Sequence, residues 1–172
     1  MSDTPENAGA AETLIGRALF FSSYMFALLG GLIMAGLVVM VVVSVVGRWL
    51  FSAPIYGDFE MVAMGTAVAV FLFLPYCHVK RRNVIVDLFL AWAPKKTQTF
   101  FDVLGSVALA AIAGLLTWRM ALGGLNAVEY NETTYILALP IWAAYPFAIA
   151  SFALLTLTSV YTAIHDLMRI YR

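Results

Sequence analysis

Charge is what this chain has least of: 12% of its 172 residues are Asp, Glu, Lys or Arg, while 63% are hydrophobic. A globular domain usually carries about 25% charged residues. A water-soluble fold with so few would have to expose wide apolar surface, which soluble monomers rarely do. Ten basic residues balance ten acidic ones, and zero net charge offers no electrostatic grip on nucleic acid. The single cysteine, Cys77, excludes an intramolecular disulfide and any multi-thiolate metal site. It reads as a small buried hydrophobe. There are two histidines, His78 and His165. Both stand at the ends of apolar runs and read as solvated interface residues, whereas a haem would need axial ligands inside a bundle.

What the chain does have is four long apolar runs, and about 20 such residues span a bilayer core. Residues 1–18 form a polar lead-in. The run after it is too long for a signal-peptide core and is expected to stay as an uncleaved first span. The four spans are expected at about 19–46, 59–77, 101–118 and 141–164, the third with room to extend past Arg119, with a membrane domain over 19–165 and a tail over 166–172. Pro140 and Pro146 fall near the start of the fourth span, where a missing amide donor costs least. The fold class is therefore an all-α integral membrane protein with four transmembrane helices.

Lysine and arginine placement sets the expected orientation. Arg17, Lys80, Arg81, Arg82, Lys95, Lys96, Arg169 and Arg172 fall on one side, and only Arg48 and Arg119 on the other. Both termini and the middle connection are expected in the cytoplasm. Small residues that let helices approach should mark the contacts. Ser106, Ala110 and Gly114 form one such face; Gly31 with Ala35 and Gly65 with Ala69 are weaker candidates.

The central stretches of the spans hold no Asp, Glu, Lys, Arg or His. Ion-coupled carriers usually keep a charged group at depth, so this chain alone should lack a coupling site, and no catalytic, cofactor or metal residue is expected. The candidate residues lie in the connections. Asp58 suits the N-cap of the second span, Glu60 in its first turn gains from the positive helix end, and Arg48 can pair with either. A well-capped helix entrance explains all three. Arg119 reads as a snorkelling cation, and Glu129 and Glu132 as a solvated loop. Between spans two and three, residues 84–93 place Ile85, Leu88, Phe89 and Trp92 at helical spacing, with Asp87 on the opposite stripe. Too short to cross, this segment is expected to lie flat as an amphipathic interfacial helix. A buried re-entrant segment is the alternative.

Three stretches carry a resemblance: Arg48-Trp49-Leu50-Phe51 with Pro54, Asp58 and Glu60; the basic connection leading into Val84-Ile85-Val86-Asp87-Leu88 and Pro94; and Leu139-Pro140-Ile141-Trp142 with Tyr145. In this order and layout the chain resembles the small membrane subunit, the Q or small-permease component, of tripartite ATP-independent periplasmic (TRAP) transporters. The resemblance implies a multi-pass protein of the bacterial inner membrane. Its partners would be a large membrane subunit, which would hold substrate and sodium and move as an elevator, and a periplasmic binding protein delivering an organic acid. The small subunit would then be a scaffold, with Arg48, Asp58, Glu60, Asp87, Trp92, Pro140 and Trp142 as structural or partner-facing residues. The competing readings are a haem- or quinone-binding anchor of a redox complex, which needs histidines within the spans, and a small four-helix membrane enzyme, which needs converging polar residues near the interface.

Overall fold

The structure, a computed structural model, describes residues 14–52, 55–80 and 95–170. Four long helices account for most of them: α1 (Leu14–Phe51), α2 (Asp58–Val79), α3 (Lys95–Glu129) and α4 (Tyr145–Ile170), the last preceded by a 3-10 turn over Ile141–Ala144. All four are long and apolar enough to cross a membrane. The expected interfacial helix over 84–93, with Asp87 and Trp92, lies outside the described residues.

Two spans outrun their expected limits. α1 has 38 residues and α3 has 35, about 57 and 52 Å at 1.5 Å per residue, against a hydrocarbon core of about 30 Å. Charge ended the apolar count at Arg17, Arg48 and Arg119, but a long cation reaches water from the surface of a continuing helix. All three are exposed. The end of α3 comes where Asn131 turns the chain at φ 49°, a left-handed conformation that Asn tolerates better than most residues.

The helices stand in a row, α1–α2–α4–α3. α1 packs on α2, α2 on α4 and α4 on α3, while α1 touches α4 only lightly. α4 is the most enclosed span, with 44% of its window buried against 6% for α1, so the core sits between α2, α4 and α3. Ala113, Phe152 and Leu155 form its buried centre, flanked by Phe71, Leu74, Leu109, Leu116 and Met120. The Phe71 and Phe152 rings meet at 5.3 Å, tilted by 54°, within the centroid range of favourable aromatic pairs.

Seven-residue spacing organises the contacts. On α1, Gly16, Ser23, Gly30, Leu37 and Ser44 fall on one seam; Gly16, Ser23, Gly30 and Ser44 are buried. Gly30 lies against Ala69 and Leu72, Leu37 against Gly65, and Ser44 against Asp58. The two helices thus run antiparallel in register. On α3, Ser106, Ala113 and Ala127 are buried at the same period, with Met120 half-buried between them. A 3.5-residue repeat keeps one seam on a neighbour as helices wrap left-handedly.

The small-residue expectations divide accordingly. Gly65 and Ala69 do face α1, and Ser106 is buried. Ala110 and Gly114 are only half-buried, because the seam advances by sevens rather than fours. Gly31 has no neighbour within 4 Å where a Cβ would stand and Ala35 is exposed; the contact belongs to Gly30, one position along the helix.

Four hydroxyls inside the spans are satisfied locally. Ser23, Thr117, Thr156 and Thr162 each donate to the carbonyl four residues back, a habit of Ser and Thr in helices. Ser151 is different. It donates across the helix boundary to the carbonyl oxygen of Phe71. That oxygen would normally accept from the amide of residue 75, which is Pro75 and has no N–H. The proline frees an acceptor inside the bundle, and α4 supplies its donor.

Two single-residue expectations are corrected. Cys77 is exposed rather than buried, because it faces away from the inward side of α2. His78 is buried, 7% exposed, rather than solvated. It continues the inward stripe of Leu72 and Pro75 at three-residue steps. His165 is half-buried, its ring 6.4 Å from that of Tyr161.

Candidate functional site

Polar side chains gather at the end of the bundle where α1 leads to α2 and α3 leads to α4. Ser52, at φ 52°, takes the chain off α1, its amide donating to the Arg48 carbonyl at 3.1 Å. Arg48 stands in the last turn of α1, where a cation faces the negative helix end. α2 starts from Gly57 at φ 73°, a conformation glycine adopts without steric cost. The expected cap is therefore displaced by one position. Gly57 holds the N-cap, and Asp58 is the first helical residue.

Asp58 ties α1 to α2. One carboxylate oxygen accepts from the Ser44 hydroxyl at 2.6 Å and lies 3.7 Å from an Arg48 guanidinium nitrogen. The other accepts from the Phe59 amide at 2.8 Å. Ser44, buried in the seam, also accepts from the Ile55 amide at 3.3 Å, so one hydroxyl joins α1, the connection and α2. The Arg48 side chain is 64% exposed, and such a surface pair adds little beyond orientation.

Glu60 ties the first helix pair to the second. Its two oxygens accept from the amides of Ile136 at 2.8 Å and Leu137 at 3.0 Å. Charge-assisted bonds to a carboxylate are the stronger kind. Glu60 stands in the first turn of α2 as expected, and its carboxylate also caps a loop 76 residues away. That loop folds tightly on itself. Thr134 and Leu139 exchange amide-to-carbonyl and amide-to-hydroxyl bonds, and the Ile141 amide donates to the Glu132 carbonyl. Thr133 faces Pro140 in a single antiparallel bridge. Leu137 covers Gly57 so closely that a Cβ there would overlap its side chain.

Five of the seven expected residues thus meet at one end: Arg48, Asp58 and Glu60 in the polar ties, Pro140 closing the loop, and Trp142 in the 3-10 turn, 44% exposed. Asp87 and Trp92 lie outside the described residues. Ser44 and Leu137 were missed. Ser44 carried one signal, its seven-residue spacing from Gly30 and Leu37; the place of Leu137 over Gly57 has none in local sequence. Trp49, Tyr56 and Tyr135 project from the same end, strongly exposed.

Chemically, the arrangement joins helices and a loop to one another. Both carboxylates spend their lone pairs on amides, a hydroxyl and a guanidinium. Among the described residues, no group of three His, Cys, Asp or Glu side chains is placed to hold a metal ion.

Comparisons with curated proteins and with solved structures find no match. A family model does match: that of the DctQ component of tripartite ATP-independent periplasmic transporters, over residues 37–169. The match takes in the polar ties, the loop that Glu60 caps, and nearly all of α2, α3 and α4, and on it the chain belongs to the DctQ family, the small component of TRAP transporters.

Proposed function

We propose that this subunit is the static scaffold of a sodium-coupled, binding-protein-dependent importer of an organic acid in the bacterial inner membrane. In this reading the large membrane subunit holds substrate and sodium and moves, and the periplasmic protein delivers the acid. This chain binds no cofactor and provides the frame. The observation that carries the reading is what the polar groups do: Asp58, Glu60, Ser44 and Ser151 all join one helix or loop to another. Away from the ends of the spans the one Asp, Glu, Lys, Arg or His is Arg119, and it is exposed on α3 rather than enclosed in the bundle as a carrier's coupling charge is.

The bias of lysine and arginine supports an orientation with both termini in the cytoplasm. The Arg48, Glu60 and Trp142 end then faces the periplasm, within reach of the binding protein.

Two measurements test this. A reporter active only in the cytoplasm should work when fused after Arg172 and fail when inserted at Asn131; the reverse pattern removes the orientation. Liposomes containing this chain alone should accumulate no organic acid under a sodium gradient, while adding the large subunit and the binding protein restores uptake. Uptake by the chain alone would end the scaffold reading.

A further inference from the structure

At the opposite end of the bundle, the start of α1 and the end of α2 bring two cations and four aromatic rings together. Arg17, Phe20 and Phe21 lie three and four positions apart on α1, a spacing that puts them on one helix face. With Ala18 they line an open cleft of about 550 Å³. Phe20 forms a wall of this cleft and also seats a cation from the neighbouring helix. The Lys80 ammonium lies 5.2 Å from the centre of the Phe20 ring and 5.9 Å from that of Tyr76. Tyr76 in turn meets Phe20 at 6.2 Å and Tyr24 at 6.0 Å. Such contacts hold an ammonium in place without neutralising it. Among the described residues, the one ion pair is between Arg48 and Asp58, at the other end of the bundle, so no described carboxylate is paired with Arg17 or Lys80.

We propose that this cleft binds an anionic phospholipid, the phosphate held between Arg17 and Lys80 and the upper acyl chain lying along Phe20 and Phe21. Charge complementarity selects the occupant. A guanidinium offers a planar fork suited to phosphate oxygens, and a lysine adds a point charge from the second side. The wall below the cations is apolar, which suits a chain of methylenes and gives a free inorganic anion nothing to gain. Phe21 is 63% exposed, an open apolar surface of the kind that suits the depth where a bilayer changes from headgroup to hydrocarbon. Cations and aromatic rings are the usual anchors at that depth. The site bridges α1 and α2, so a bound lipid would brace the helix pair at the end that the Ser44 and Asp58 tie does not reach. The inference is independent of the transported substrate and of which side of the membrane this end faces.

The test uses the assembled transporter, purified in mild detergent and washed free of lipid. Dioleoyl phosphatidylglycerol or dioleoyl phosphatidylcholine is added back, and bound lipid is counted by native mass spectrometry. Retention of phosphatidylglycerol should fall by about five-fold for each cation removed in Arg17→Gln and Lys80→Gln, with phosphatidylcholine retention unchanged. Equal phosphatidylglycerol retention by the double variant and the parent would overturn the proposal. A second arm needs no destabilising change. A photoreactive benzophenone side chain in place of Phe21 should crosslink phosphatidylglycerol in the parent complex. Crosslinking to another protein subunit instead would show that a partner covers this face and would equally overturn it.

Discussion

At the scale of single residues, Pro75 and Ser151 show how one imperfection in a helix is answered by another. The Phe71 carbonyl loses its amide partner to Pro75 and takes the Ser151 hydroxyl in its place. Ser151→Ala should therefore destabilise the protein by about 1–2 kcal/mol, the range for such bonds in membrane and buried settings. In a Pro75→Ala background, where the amide returns, the same substitution should cost clearly less. A double-mutant cycle of unfolding in mixed micelles measures the difference, and an equal cost in both backgrounds would contradict the pairing. Glu60 invites a comparison of a second kind. Because it bonds two loop amides while Asp58 has an exposed cation and one hydroxyl as its partners across the helix pair, Glu60→Gln should lower thermal stability more than Asp58→Asn does. Asp58 and Glu60 were legible from the sequence as carboxylates at a helix entrance. Their partners were not, since helix-end reasoning looks one turn ahead and these bonds cross 14 and 76 residues.

At the scale of elements, the existence and order of the four spans could be read directly from the apolar runs. Their ends could not be, because a snorkelling arginine interrupts a hydropathy count without interrupting a helix, as Arg17 and Arg119 show. The contact seams were legible in principle. Gly16, Ser23, Gly30, Leu37 and Ser44 repeat by seven, but a search for small residues four apart selects Gly31 and Ala35 instead. Gly30 and Gly31 offer a test at adjacent positions. A Cβ at Gly30 would stand 3.1 Å from the Ala69 carbonyl oxygen, whereas one at Gly31 meets nothing within 4 Å. Backbone cannot yield as a side-chain tip can, so Gly30→Val should push α1 off α2 and reduce the yield of folded protein. Gly31→Val should leave it unchanged. Equal loss from both, measured by size-exclusion chromatography in detergent, would place the seam elsewhere. Gly57→Ala carries both the left-handed φ and the overlap with Leu137, and should be the most damaging alanine substitution in the first connection.

At the scale of the whole molecule, the row α1–α2–α4–α3 leaves α1 and α3 as outer members with broad apolar faces. A closed bundle would hide those faces; a row leaves them exposed. The Glu60 tie is what joins the α1–α2 pair to the α3–α4 connection at one end, and Ser151 does so within the membrane. The frame account holds that these groups fix helices and take no part in moving the substrate. Its most direct test is Glu60→Lys, which sets a cation against the Ile136 and Leu137 amides, with purified complex and sodium-driven uptake measured on the same preparation. The account predicts that less transporter assembles while turnover per assembled transporter stays at the parent value. Full assembly with reduced turnover would contradict it, placing Glu60 in the working surface of the transporter rather than in its frame.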